Sequence, residues 1–242
     1  MRMSGTWLIL LCAFGFAHAQ TNSTVNKMDP IEVTKTRDFE LSGDGQAVSW
    51  QRTDWYSLPQ RSHLENMRET KLKVLYSETG IYFLFYCQDE VLTASKTADF
   101  EKLWLEDVVE VFLWPDTGHN LYFEYEISPL NYELPILIPN INGEFLGWRP
   151  WQYTGDRKIK HQTKVVGGKK ETGAKISGWY AEFFIPYELL RPLSNVPPQA
   201  GTTWRANMYR VDHDHQKIAH WSWQETGKSF HEIQKFGPMI FR

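Results

Sequence analysis

Four glutamates, Glu110, Glu124, Glu126 and Glu182, stand in segments where apolar and polar residues alternate. Carboxylates held that way can do two kinds of chemistry. A pair set about 5–9.5 Å apart across a sugar ring can hydrolyse a glycosidic bond. The same groups can simply hold sugar hydroxyls, because a planar carboxylate accepts hydrogen bonds on both oxygens. Sugars are also recognised by flat aromatic faces stacked on the C–H face of the ring, and aromatic residues make up 15% of this chain. Ten of its 11 Trp lie beyond residue 19, more than one core of this size normally needs. Trp50, Trp55, Trp104, Trp148, Trp151, Trp221, Trp223 and Phe230 are the aromatic candidates for ligand contact. Trp148-Arg149-Pro150-Trp151 is the most suggestive, since it sits in a Gly/Pro/Asn-rich stretch where a core role is hard to arrange. Trp114, Trp179 and Trp204 fall inside strand patterns and read as core.

Other constellations are weaker. Asp212-His213-Asp214-His215, with His220, has the composition of a metal cluster. Neighbours in a strand point to opposite faces, so at most two of the four adjacent residues converge. No Gly-x-Ser-x-Gly is present, and Cys87 lies mid-strand, where a thiol is buried and inert. Gly167-Gly168, before two lysines, reads as a hairpin turn and not as a phosphate loop. Met208 and His231 are the pair that an alternative, haem-binding sandwich would use as axial ligands, although Met208 reads as an inward-facing core residue.

The elements that must position these residues repeat every two residues. Thr70 to Ser77 and Gly80 to Gln88 form a pair around Glu78-Thr79-Gly80, and Val108 to Trp114 and Leu121 to Ile127 a second pair around Pro115-Asp116-Thr117-Gly118. In the last of these, Leu121, Phe123, Tyr125 and Ile127 share one face and Tyr122, Glu124 and Glu126 the other, which predicts one buried face and one wet face. Arg205 and Asn207 share a face of a strand over Trp204 to Val211 and can supply donors opposite the glutamates, or a cross-strand charge pair with no ligand. Further strands are expected at Lys158 to Val166, Trp179 to Ile185 and Phe236 to Phe241, and a single helical turn at Pro186 to Leu190. No long amphipathic helix, internal repeat or interdomain linker interrupts them. Short strands at regular spacing predict an all-β fold: an antiparallel β-sandwich of jelly-roll or immunoglobulin-like type, two packed sheets.

Composition bounds the rest. Arg2, the apolar run Trp7 to Phe16 and Ala17-His18-Ala19 make residues 1–19 a signal peptide, so the chain is expected to be exported, periplasmic or extracellular. Residues 20–28 read as a polar, disordered leader and 29–242 as one domain. The apolar run is too short to span a bilayer, and no later segment is a transmembrane candidate. Cys87 is the only cysteine left after residue 19, which excludes a disulfide framework. A net charge near −4 after loss of Arg2 gives no reason to expect nucleic acid as a partner.

The stretches Lys71 to Tyr76, Gly80 to Phe83 and Trp104 to Leu113, with Phe236-Gly237-Pro238 before the last strand, resemble the family 9 carbohydrate-binding modules. The Trp104-x-x-Asp107-x-x-Glu110-x-Phe112 core carries the likeness, which runs from about Met28 to Arg242. The resemblance implies a site that clamps a terminal sugar between two aromatics. Trp104 falls on the first, and Phe230 on the second, where a Trp is usual. Glu110 matches an acidic sugar ligand; Glu124 and Glu126 stand where the family has an Arg and an Asn, so three carboxylates line one site and favour neutral or cationic ligands, or a bound cation. Arg205 and Asn207 would complete the polar wall, and Trp148 and Trp151 would extend it for longer chains. The family implies binding without cleavage, an oligo- or polysaccharide ligand, a glycoside hydrolase as companion, and an oxygen-rich surface able to take a structural Ca2+, whose ligands the spacing does not assign. The alternative is a glycoside hydrolase working through paired carboxylates on the same fold.

Overall fold

Strands form where the alternation predicts them, and the computed structural model describes residues 30–62, 67–214 and 217–242. The expected signal peptide (1–19), the expected leader (20–28) and His215 lie outside the described residues. Fourteen strands are present among the described residues: β1 (Ile31–Lys35), β2 (Tyr56–Ser57), β3 (Thr70–Tyr76), β4 (Gly80–Gln88), β5 (Val108–Trp114), β6 (Leu121–Ile127), β7 (Glu133–Ile141), β8 (Glu144–Phe145), β9 (Arg149–Pro150), β10 (Lys160–Val166), β11 (Gly178–Pro186), β12 (Thr203–Asp212), β13 (Ala219–Ser222) and β14 (Gly237–Phe241). One helical turn, α1 (Tyr187–Leu190), follows Pro186. The two predicted hairpins close as expected: the Ser77 N–H donates to the Gly80 carbonyl (2.8 Å), and the His119 N–H to the Asp116 carbonyl (3.1 Å).

The strands join in the order β10-β11-β4-β3-β1-β14-β12-β5-β6-β7-β8. β1 is the fold line. Ile31 to Val33 pair with β14, and Thr34-Lys35 with β3, so one strand serves both layers. Both pairings of β1 are parallel, which corrects the expectation of a purely antiparallel sandwich. Hairpin signals report sequential antiparallel neighbours; they carry no information about a first strand that meets the last one.

The two layers pack through the inward residues of each strand. Tyr125 of β6 meets Phe183 of β11 at 4.8 Å between centroids, and Phe83, Phe85, Trp179, Trp204 and Met208 fill the same core. The Cys87 thiol is sealed in this core, and burial pushes its pKa up to about 12. The outer faces depart from the wet surface predicted for β6. Tyr122, Glu124 and Glu126 are all buried. They lie beneath a second apolar layer built from Leu103, Phe112, Ile136, Tyr209, Ile233 and Phe236, with Trp104, Trp148 and Phe230 packed on it. Alternation distinguishes two faces but does not say whether loops cover one of them.

Candidate functional site

The register of β5 against β6 assembles the site. Glu110 lies opposite Glu126, and Phe112 opposite Glu124, so three carboxyls and one aromatic ring fall on one patch of the outer face. Glu110 is 2%, Glu124 4% and Glu126 1% exposed. Around them is a cavity of about 240 Å³, floored by the three glutamates and Phe112. Ile136 and Ile138 of β7 form one side, and Trp104, Phe145, Trp148 and His231 the rim.

Each rim residue has a reason to be there. Trp104 rides a single 3-10 turn, Leu103–Leu105, closed by the Glu106 N–H on the Leu103 carbonyl (3.0 Å). Asp107 pins the base of that turn by accepting the N–H of Thr93 (2.6 Å) and of His213 (2.9 Å). The Trp104 and Trp148 rings meet edge to face at 5.8 Å. Phe145 enters from the β7–β8 hairpin, whose Gly143 has φ +91°, and a Cβ there would stand 2.4 Å from the Gln234 amide. His231 stacks between Phe145 (4.3 Å) and Phe112 (5.4 Å), and the Asn140 amide holds its carbonyl (2.9 Å). The Tyr122 hydroxyl and His231 Nδ1 are hydrogen-bonded partners.

Burial governs the charges. It pushes the Glu110 carboxyl up to about 8. Glu124 is raised well above the carboxylate range by burial and then by Glu110, and Glu126 by burial and then by both neighbours. His231 falls to about 4, again through burial. At neutral pH the cavity therefore holds protonated carboxyls, able to donate as well as accept, beside a neutral imidazole. Among the described residues, no protein donor reaches Oε2 of Glu124 or Oε2 of Glu126. The Glu124 and Glu126 carboxyls are themselves within hydrogen-bonding reach of each other.

The structure brings together Trp104, Glu110, Glu124, Glu126 and Trp148 of the residues singled out by sequence. Four others lie elsewhere. The Phe230 ring stacks on Tyr209 at 4.1 Å and lines a different, polar cleft with Arg61, His220 and Ser222. Trp151 points the other way along its loop, its indole N–H on the Leu189 carbonyl (3.0 Å) and the Arg157 guanidinium over its ring (5.1 Å). The Asn207 amide is consumed by the Tyr209 hydroxyl (2.6 Å) and the Gln224 carbonyl (3.0 Å), which tie a loop down instead of facing a ligand. Arg205, opposite Trp114 and Pro238, is half-buried away from the glutamates. Trp50, Trp221 and Trp223 are buried rather than loop-exposed, and Trp55 lies beside the ammonium groups of Lys71 (5.2 Å) and Lys73 (5.3 Å). Sequence reasoning did not place Phe145 or His231 in the sugar site. Phe145 sits on a two-residue strand too short to show a period, and His231 was considered only as an axial haem ligand.

Three alternatives are resolved by position. Met208 faces the inter-sheet core while His231 lies over the outer face, so the two do not converge on one haem. Glu182 sits on the far layer as a structural anchor: its carboxylate accepts the N–H of Ser42 (2.9 Å) and Gly43 (2.6 Å) and the Trp50 indole N–H (2.7 Å). Among the described residues, Asp89, Asp212 and Asp214 are the set whose oxygens converge within 4.8 Å. Arg68 bonds Asp212 (3.0 Å) and Asp214 (2.5 Å), and Arg210 bonds Asp212 (2.5 Å) and Asp89 (3.2 Å). Two guanidiniums already bond the oxygens of that cluster, so it does not fit a structural Ca2+. A wider open groove of about 920 Å³ beside Lys35, Arg37, Asp38 and Arg52 offers no aromatic wall.

The model of the carbohydrate family 9 binding domain-like family matches residues 42–242. Among solved structures, a candidate carbohydrate-binding protein from Bacteroides uniformis ATCC 8492 superposes with a TM-score of 0.70 at 18% identity, covering 88% of this chain and 99% of that one. A family 9 carbohydrate-binding module from Caldicellulosiruptor kristjanssonii in complex with cellotriose gives 0.60 at 16% identity, over 88% of this chain and 94% of that one. A family 9 module from the same organism in complex with glucose gives 0.59 at 14%, over 87% and 95%. At these identities the likeness is one of fold. No curated protein matches the chain.

Proposed function

Because the chain belongs to the carbohydrate family 9 binding domain-like family, we propose that the cavity beneath Trp104 and Trp148 is a carbohydrate site, and that the protein binds sugar without cleaving it. One observation carries this reading: buried carboxyls, two of whose oxygens meet no protein donor among the described residues, line a ring-sized, aromatic-rimmed cavity. Unpartnered buried polar atoms are costly, and hydroxyls of a bound sugar would satisfy them. The cavity falls below the roughly 300–1,000 Å³ usual for drug-sized ligands, so it suits one sugar ring at a chain end. Trp104 and Trp148 then supply the apolar wall in place of a Trp104–Phe230 clamp.

The same electrostatics weigh against hydrolysis. A glycosidase needs an ionised carboxylate beside a protonated one. Here all three carboxyls are raised together, with no cationic side chain lining the cavity to hold one of them ionised. The reading includes export directed by residues 1–19 and action beside a glycoside hydrolase. Its test is calorimetric titration with glucose, cellotriose and a panel of other mono- and oligosaccharides. A saturable isotherm that Trp104→Ala weakens supports the site; silence across the panel from folded protein rejects it.

A further inference from the structure

The cavity has an excess of acid, answered among the described residues only by the Trp104 main-chain N–H at Glu126 and by His231 Nδ1, 3.8 Å from Glu124 Oε2. Its titratable neighbours are Glu110 from β5, Tyr122, Glu124 and Glu126 from β6, Tyr209 from β12 and His231 from the segment before β14. The β7–β8 hairpin contributes only Ile136, Ile138 and Phe145, and the 3-10 turn contributes Trp104. Among the described residues no lysine or arginine lines it. The contrast with the rest of the molecule is sharp: the acids of the Asp89 cluster share two arginines, and Glu182 is met by main-chain and indole N–H groups. Three buried carboxyls in one cavity are relieved by keeping their protons, and a positive charge from outside would let them ionise.

A metal ion is a poor answer, since the three glutamates are not among the carboxylates whose oxygens converge within 4.8 Å. The cavity instead calls for a larger cation with an apolar face for the indole rings. Aromatic faces also attract ammonium groups. We propose, building on the sugar-site reading above, that the preferred ligand is a sugar carrying a free protonated amine, whose ammonium sits against the carboxyls of Glu124 and Glu126, while Glu110 accepts from a neighbouring hydroxyl and the ring's C–H face rests on Trp104 and Trp148.

A bound ammonium favours ionised carboxylates, so binding expels the protons that burial retains. Those protons are a signature that a neutral sugar does not give. The experiment titrates glucosamine, N-acetylglucosamine and glucose into the mature protein near pH 6, below the roughly 8 of an α-amino group, in buffers of different ionisation heat. The expected result is glucosamine binding about tenfold or more tighter than the two neutral sugars. Its apparent enthalpy should change with the buffer, in the sense of proton release. Glu124→Gln should cost glucosamine about tenfold or more and the neutral sugars much less. Neutral sugars that bind as well as glucosamine, or a glucosamine enthalpy independent of buffer, overturn the inference and leave the sugar site standing. No binding by any of the three, or by the wider sugar panel, overturns both. The buffer comparison uses wild-type protein, so it decides the question even if Glu124→Gln fails to fold.

Discussion

Glu110 and Glu126 face each other across the β5–β6 ladder, two carboxyls in direct cross-strand register, each almost wholly removed from water. Like charges placed directly opposite destabilise a sheet even at the surface. Here burial and proximity act together, and the carboxyls respond by keeping their protons. The pair stands beside Glu124, which faces Phe112, and above them the rim is aromatic rather than basic. Among the described residues no protein donor meets Oε2 of Glu124 or Oε2 of Glu126.

The retained protons make stability depend on pH in a defined direction. A carboxyl whose pKa is higher in the folded state binds more protons folded than unfolded, so stability falls as pH climbs between the two values. For Glu110 that window runs from its ordinary 4.5 to about 8. His231 acts oppositely: lowered from 6.5 to about 4, it makes stability rise with pH across that interval. The two offset one another below pH 6.5, and above it the carboxyls act alone, Glu133 (about 8) and Asp89 (about 7) adding to Glu110. Without ligand, unfolding free energy should drop from pH 6.5 to 8 by up to ~1.4 kcal/mol per unit for each such group. Glu110→Gln should flatten the slope. Denaturant titrations across this range measure it, and an unchanged slope in the variant contradicts a protonated Glu110.

Glu182 tests the opposite case, a buried carboxylate fully met by donors. The Ser42 and Gly43 N–H groups and the Trp50 indole all converge on it, fixing the 42–50 segment to the outer face of β11. Hydrogen bonds to a charged acceptor contribute about 1.5–3 kcal/mol each when removed, and the abandoned donors add to the loss. Glu182→Ala should therefore lower unfolding free energy by roughly 3 kcal/mol or more. The segment lies on the other layer from the Trp104 cavity, so the variant's affinity for sugar, measured while it is folded, should match wild type.

Much of this was legible before any coordinates. The alternation in β4, β5 and β6 marked their bounds, and the Trp104-to-Phe112 core placed Trp104 and Glu110 at one site. What escaped did so for physical reasons. β7 carries Pro135 and Pro139, which suppress a strand reading because proline cannot donate to the ladder. Their carbonyls still accept, from Trp151 (2.8 Å) and Leu146 (3.1 Å), and so the strand forms. Asn207 was grouped with the glutamates by parity alone, which cannot reveal that its amide is claimed by Tyr209 and Gln224. Trp50 looked like a loop residue because the partner that buries it, Glu182, is 132 positions away.

The Arg210 network sets a third expectation. Arg210 is fully buried, its guanidinium 4.4 Å over the Trp221 ring and bonded to Asp212. Removing one partner from a buried ion network leaves uncompensated charge and costs about 3–5 kcal/mol. Arg210→Met should lose that much stability at pH 7. It should lose less near pH 5, below the roughly 7 of Asp89, which can escape by taking up a proton. Urea unfolding at the two pH values checks both statements, and an equal loss at each would mean that Arg210 acts through packing on Trp221 instead.

The placement of the aromatics separates binding from stability. Trp104 and Trp148 rim the cavity, each with part of its ring accessible. Phe230 is stacked on Tyr209 outside it, and Trp151 is tied to the Leu189 carbonyl on the side of the inter-sheet core. Trp104→Ala should weaken sugar binding by at least about 2 kcal/mol, as for a central aromatic anchor, and Trp148→Ala should follow it. Trp151→Ala should leave affinity intact and instead lower the melting temperature, since it removes a packed ring and its hydrogen bond. Phe230→Ala is the deciding variant. Affinity held within about threefold of wild type, under 1 kcal/mol, fits a cavity walled by Trp104 and Trp148. A loss as large as that of Trp104→Ala would mean that Phe230 swings onto the ligand, and that the clamp implied by family resemblance forms only when sugar is bound.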